Sequence, residues 1–376
     1  MTLPRATRIL LAAAATSAAV GATATTSNAA VDKGLQDQQM TASPFADQFL
    51  QPFFTDAKAA KVGMLRFNTS WNGKNAQPDP VQLARIRAAL TTAKDNGIGT
   101  AVISPNISPD AGDTFNPRGK GKGPTAASKV KSAAYTTYIR SVATALKGTG
   151  VTLYYAPINE PNWYNHLPKR GGAALYRKLH NIAYDEIKKI DSSAKILFGE
   201  LLPYDRALSK NYPNGQSTDA GTFTREVLGL TSKWKGKGST KTYKVKADGV
   251  SLHTYDFKAD PRKKRKDRDD WTQGNLSYAK SDLRKAARTK RISSAAAGRI
   301  YLTEFAYKTS GSDKISTSKA RTYLKRAWDI AKKQKVRSFI WYQLRDPQST
   351  AENWQSGLKT REGGDRSTWT TFRGLK

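Results

Sequence analysis

The sequence predicts an α/β fold, a single (β/α)8 TIM barrel with extended βα loops. Three observations carry that expectation. Eight short β-branched runs alternate with longer helical patterns, no linker or composition break interrupts residues 31–376, and no glycine-rich phosphate loop follows the first run. Eight alternations ask for parallel strands joined by right-handed crossovers, and a closed ring of strands satisfies them economically. An open doubly wound sheet is the competing arrangement. It wants a GxGxxG or Walker sequence after its first strand, and neither is there.

The strand candidates are 34–38 (GLQDQ, the weakest), 62–67 (VGMLRF), 98–104 (IGTAVIS) and 151–158 (VTLYYAPI). They continue with 195–199 (KILFG), 249–253 (GVSLH), 300–303 (IYLT) and 338–343 (SFIWYQ). Helical periodicity covers 80–96, 132–146, 173–190, 222–230, 276–287 and 318–333. In 173–190, Leu175, Leu179, Ile182, Ala183, Ile187 and Ile190 make one apolar stripe, with Arg177, Lys178, Asp185 and Lys188 opposite. Ser316-Thr317-Ser318 offers N-cap hydroxyls to the last of these helices. Long loops at 105–131, 200–220 and 254–274 follow strand ends, which places all three on one face of a barrel.

Residues 1–30 read as a secretory signal peptide. Arg5 and Arg8 form a positive start, 9–20 is an alanine-rich apolar core too short to span a bilayer, and Ser27-Asn28-Ala29-Ala30 offers small residues for cleavage. The expectation is a barrel over 31–376 that is secreted, extracellular or associated with the cell envelope, with no membrane span in the mature chain. There is no cysteine, and a chain of 376 residues needs no disulfide staples. The formal charge is +33, with basic clusters at 118–131, 233–246 and 261–268 (PRKKRKDR). If the first and third occupy loops on the catalytic face, they favour an acidic polysaccharide or an anionic cell envelope as surroundings. A solvated, generally basic surface is the plainer alternative. The run 261–266 also has the look of a nucleic-acid patch, but no recognised nucleic-acid fold accompanies it, so no nucleic acid is expected as a partner.

The chemistry-bearing stretch is 151–163, VTLYYAPINEPNW. It delivers Glu160 where a buried strand stops, and Pro161 ends the pairing because it has no N–H. A carboxylate there is costly without a role or a partner. Residues 299–305, RIYLTEF, repeat the pattern and deliver Glu304. These are the fourth and seventh runs, whose ends face one cavity in a closed barrel. Two carboxyl groups across a pocket are what acid–base cleavage of a glycosidic bond requires.

With these motifs in place, the sequence resembles clan A of the glycoside hydrolases, the 4/7 superfamily, and within it the retaining enzymes of families 5 and 39. Asn159-Glu160-Pro161 is similar to the clan's acid/base motif and Thr303-Glu304-Phe305 to its nucleophile motif. His253-Thr254-Tyr255 resembles its His-x-Tyr, Arg66 sits where an arginine lies beside the nucleophile, and Trp341 sits where a tryptophan forms a platform for the sugar. The resemblance implies a retaining double displacement on an oligo- or polysaccharide, with a β-linked substrate favoured. Glu304 attacks, oriented by Tyr255, and Glu160 is the acid and then the base. His253 lines the pocket, Asn159 bonds the sugar 2-hydroxyl, and no metal or organic cofactor is called for. Burial and the nearby negative charge are expected to raise the pKa of Glu160.

Other readings of these residues stay open. Arg66 can be half of a structural ion pair, His253 a satisfied core histidine, and Trp341 with Tyr342 barrel packing. Glu200, at the end of the fifth run, reads as a rim or loop-anchoring residue. Trp71, Trp163 and His166 can form sugar subsites or cover the barrel mouth. A carbohydrate- or envelope-binding barrel without catalysis is the alternative to an enzyme, and intact Glu160 and Glu304 count against it.

Overall fold

The computed structural model describes residues 30–42, 46–73, 75–107, 130–164, 166–205, 217–311, 313–347 and 354–376. The expected signal peptide over 1–30, apart from residue 30, and most of the basic run 118–131 lie outside them. Eight parallel strands close into a barrel in sequence order: β1 (Asp32–Gln36), β2 (Met64–Trp71), β3 (Thr100–Ile107), β4 (Thr152–Tyr155), β5 (Lys195–Leu201), β6 (Gly249–His253), β7 (Ile300–Phe305) and β8 (Ser338–Tyr342). The surrounding helices are α1 (Gln39–Ala42), α2 (Ala46–Ala59), α3 (Pro80–Asp95), α4 (Ser132–Leu146), α5 (Gly172–Ile190), α6 (Ala220–Leu228), α7 (Thr240–Tyr243), α8 (Leu276–Arg288), α9 (Ser294–Ala297), α10 (Thr317–Lys333) and α11 (Ser367–Arg373). The expected (β/α)8 barrel is thus observed. None of the described helices is long and apolar enough to cross a membrane.

Strand alternation sorts the apolar residues into two cores. Met64, Val102, Ala156, Leu197, Tyr301 and Ile340 plug the barrel interior. Their chain neighbours, such as Leu65, Ile103, Leu302, Phe339 and Trp341, point outward and pack against the helices. Two residues beyond the plug, the same inward face carries Arg66 in β2 and Ser104 in β3. A polar layer thereby sits above an apolar floor, at the carboxyl ends of the strands.

The helices follow local chemistry. Asp79 caps α3, accepting from the N–H of Val81 and Gln82, with Pro80 in the first turn. Ser316 caps α10 by accepting from the N–H of Lys319. Helix α2 has no counterpart in the sequence reading, because Pro52 interrupts its pattern. It is held by burial of Phe53, Phe54 and Ala57. Strand β4 is shorter than the expected 151–158, since Pro157 offers no N–H to the ladder. The chain still follows β3, with Ala156 N bonded to Ile103 O at 2.9 Å and Ile158 N to Pro105 O at 2.8 Å. Strand β2 runs four residues past the expected end, carrying the polar segment 68–70 in the ladder with β3.

Candidate active site

Three irregularities in the ladder shape the mouth of the barrel. Register shifts occur between Gly199 and Leu201 in β5, between Leu252 and His253 in β6, and between Leu302 and Phe305 in β7. Each inserts or omits a residue where a strand delivers a polar side chain, which is how bulges re-aim groups at sites. The shift in β5 turns Glu200 inward with φ 55°, and Glu160 follows β4 with φ 44°. A non-glycine residue at positive φ costs roughly 1–3 kcal/mol and persists where the surroundings over-determine it.

Arg66 is the hub. It is fully buried, and its Nη1 donates to Glu304 Oε1 and to Gln36 Oε1, both at 2.5 Å. Nη2 donates to Asn159 Oδ1 at 2.7 Å and to Glu200, and Nε reaches Glu200 Oε2 at 3.1 Å. Burial opposes the guanidinium charge, but Glu200 and Glu304 outweigh it and hold Arg66 cationic. Its bond to Asn159 Oδ1 orients the amide so that the NH2 is the end left to donate.

His253 sits among three carboxyl groups. Its Nδ1 lies 2.9 Å from Glu160 Oε1 and 3.4 Å from Glu304 Oε2, and its Nε2 lies 3.3 Å from Glu200 Oε2. Burial alone would lower its pKa; the charges of Glu304 and Glu200 and the bond to Glu160 raise it to about 10. It is therefore an imidazolium at neutral pH. The Glu160 carboxyl moves the other way from an ordinary acid. Burial raises it, the bond and charge of His253 pull back without cancelling that, and the charge of Glu304 adds to the rise. Tyr255 donates its hydroxyl to Glu304 Oε2 at 2.9 Å, and burial with the neighbouring carboxylates keeps it protonated. Two cations face three carboxyl groups, so a proton on Glu160 leaves the cluster electrically balanced.

Above this layer is a cavity of about 330 Å³, at the small end of ligand-site volumes. Asn159, Glu160, Tyr255 and Glu304 line it, with walls from Trp163, His166, Leu202, Phe257, Tyr342 and Trp354 and polar edges from Gln38 and Asn68. Burial lowers the pKa of His166 to about 4, which leaves it neutral, and its ring meets Trp163 edge-on. Glu160, His253 and Glu304 present ligand atoms within 4.8 Å of one another, the spacing of a metal site. These atoms are engaged within the cluster: the two Glu304 oxygens accept from Arg66 and Tyr255, and His253 Nδ1 faces Glu160 Oε1. Asp219, Asp267 and Asp270 have similar spacing, and Arg265 Nε pairs with Asp270 at 2.6 Å.

Arg66, Asn159, Glu160, His253, Tyr255 and Glu304 are thus brought together as expected. Trp341 is not. It is buried, its Nε1 donates to Ser356 O at 3.0 Å, and its ring meets Phe305 on the outer face of the barrel. Inward and outward residues alternate along β8, so the aromatic on the cavity is the next residue, Tyr342, joined by Trp354. Trp71 is likewise core, packed on Tyr135 and Tyr138, whereas Trp163 and His166 do line the cavity. Glu200 is not at the rim, although its carbonyl does anchor the segment after β4 by accepting from Glu160 N at 2.9 Å. It is fully buried beneath the cavity, and like Glu304 it sits in the last two residues of its strand, which was the signal for it.

Basic cluster 233–246 lies between α6 and β6, at the end of the barrel away from the cavity. Cluster 261–268 follows β6 on the cavity side, but much of its charge is engaged. Arg262 pairs with Asp260, Arg265 with Asp270 while stacked 3.8 Å over Tyr204, and Arg268 lies 3.7 Å from Asp282.

Solved glycoside hydrolases share this architecture. A family 39 glycoside hydrolase from the gut symbiont Bacteroides cellulosilyticus WH2 matches with TM-score 0.61 at 16% identity, over 93% of this chain and 64% of that one. An exo-β-1,4-mannosidase from Opitutaceae bacterium strain TAV5 matches at 0.56 and 14%, over 92% and 59%. A GH5_18 from Bifidobacterium longum subsp. infantis matches at 0.56 and 11%, over 92% and 78%. This chain spans less than two thirds of the length of the first two. No protein-family model and no curated protein matches the chain. The resemblance to families 39 and 5 is met at the level of fold, and at these identities fold is what the likeness carries.

Proposed function

We propose that the protein is a retaining glycoside hydrolase that cleaves β-linked oligo- or polysaccharides by double displacement. The observation that carries this reading is the approach of Glu160 and Glu304, one oxygen of each within 4.8 Å, across a sugar-sized cavity. Retaining enzymes hold the two carboxyl groups about 5–5.5 Å apart, whereas inverting enzymes leave about 6.5–9.5 Å for a water.

In this reading Glu304, fixed by Arg66 and Tyr255, attacks the anomeric carbon while Glu160 gives its proton to the departing oxygen. The glycosyl ester removes the charge of Glu304, so Glu160 loses a neighbour that raised it and becomes able to take a proton from water. Water then adds to the anomeric carbon and Glu304 leaves as carboxylate. The Asn159 NH2 meets the sugar 2-hydroxyl, and Trp163, Tyr342 and Trp354 supply apolar walls. Export through residues 1–30 belongs to the same proposal. So does an acidic polymer or envelope as surroundings, which would make kcat/KM on an acidic substrate fall with salt while a neutral one is unaffected.

A panel of aryl β-glycosides, with product anomers followed by NMR, tests it. Retention of configuration is expected, and Glu304→Gln should lower turnover by at least about 10³-fold while sugar binding persists. An inverted product, or an unimpaired Glu304→Gln enzyme, defeats the proposal.

A further inference from the structure

Glu200 belongs to the site by geometry, yet it has no place in the reaction just described. It does not line the cavity, its side chain is fully buried, and Arg66 with His253 hold its carboxyl far below the ordinary range despite burial. It has neither access to a substrate nor a proton to give. Its backbone is specialised all the same. Gly199, at φ 125°, passes so close to β6 that a Cβ would come within 2.2 Å of Ser251 O. Glu200 N then donates to the side-chain Ser251 Oγ at 2.9 Å, and Ser104 Oγ donates to Glu200 Oε2 at 3.1 Å.

We propose that Glu200 is a positioning residue: its carboxylate braces Arg66 against Glu304 and His253 against Glu160, so that one buried anion orients both reacting groups. The role assigned to those groups rests on the glycosidase reading; the effect of Glu200 on His253 does not. The charged and titratable groups that face this pair are Arg66 from β2, Glu160 beyond β4, Tyr176 from α5, Tyr255 beyond β6, Glu304 from β7, and the neutral His166. Removing a negative charge from such a cluster makes any proton in it easier to lose. The Glu160–His253 pair should then give up its first proton at lower pH, which moves the alkaline limb of the rate profile downward.

The chain has three histidines, and burial lowers His166 and His180 to about 4. A single imidazole should therefore remain protonated at pH 8, which lets NMR follow His253 in the whole protein without any substrate. In Glu200→Gln its titration should fall by about one pH unit or more. On an aryl glycoside, kcat should fall by about 10²-fold with KM little changed, and the alkaline limb of kcat/KM should move to lower pH. Glu200→Asp keeps the charge one methylene further away and should give smaller changes in the same directions; it carries the test if Glu200→Gln does not fold. An imidazole titration that stays in place in the variants overturns the proposal, whatever happens to kcat. A wild type without glycosidase activity sinks the reading of the previous section and leaves the NMR result to decide this one.

Discussion

Replacing Glu160 by Gln keeps the shape of the side chain and removes its exchangeable proton, so the loss should depend on the leaving group. Alkyl glycosides should slow by about 10²–10⁴-fold, while nitrophenyl glycosides, which leave unaided, should keep much of their first-step rate. Equal losses on both would contradict an acid role. Trp341 in β8 and Trp354 beyond it should separate as core and cavity wall. Trp341→Ala should cost about 3–5 kcal/mol in chemical denaturation, because its ring fills the outer core. Trp354→Ala should mainly raise KM, because that ring walls the cavity. The pattern of a buried run ending in a carboxylate carried both glutamates, and the resemblance to clan A carried Arg66, Asn159, His253 and Tyr255. Neither could carry the choice between Trp341 and Tyr342. A shift of one residue exchanges the faces of a strand, and the phase of β8 is fixed only by its pairing with β1 and β7.

Among the elements, β5 is the one whose irregularity matters most. Gly199→Ala should destabilise the barrel and misplace Glu200, since neither φ 125° nor the space beside Ser251 O admits a methyl group. A melting temperature and kcat both within error of wild type would show that the bulge is unnecessary. Bulges leave little trace in a sequence, which is why the run 195–199 ended one residue before the carboxylate that it positions. Helix α2 escaped for another reason: Pro52 breaks its local pattern, and tertiary burial of Phe53 and Phe54 restores the helix. The long amphipathic helices α4, α5 and α10 were legible almost to the residue, because burial on one face writes itself into the spacing of apolar side chains.

For the molecule as a whole, the eight-fold alternation that made the fold readable says nothing about its response to pH, which depends on groups buried in the finished structure. His253 rises from its ordinary 6.5 to about 10 on folding, so its contribution is complete below pH 6.5 and is lost as pH climbs through 10. Asp256, raised by burial to about 8, contributes fully below its ordinary value of 3.8 and is lost as pH climbs through 8. Lys33, which donates to three carbonyls at the end of α11 and is lowered by burial to about 8, works the opposite way only above that pH. The melting temperature should therefore fall between pH 6.5 and 8 at constant ionic strength, and less so in Asp256→Asn; a flat or rising scan would contradict this assignment. The left-handed backbone at Ile158 and Glu160 has a consequence for evolution in the laboratory. A library sorted for heat survival alone, never shown a sugar, should drift toward glycine at position 160, where the replacement relieves about 1 kcal/mol or more of strain, but should keep Ile158, whose side chain is buried in the core. On the proposed function those clones would outlast their parent and turn over no glycoside, so a position where durability and activity part would be visible from sequencing reads alone.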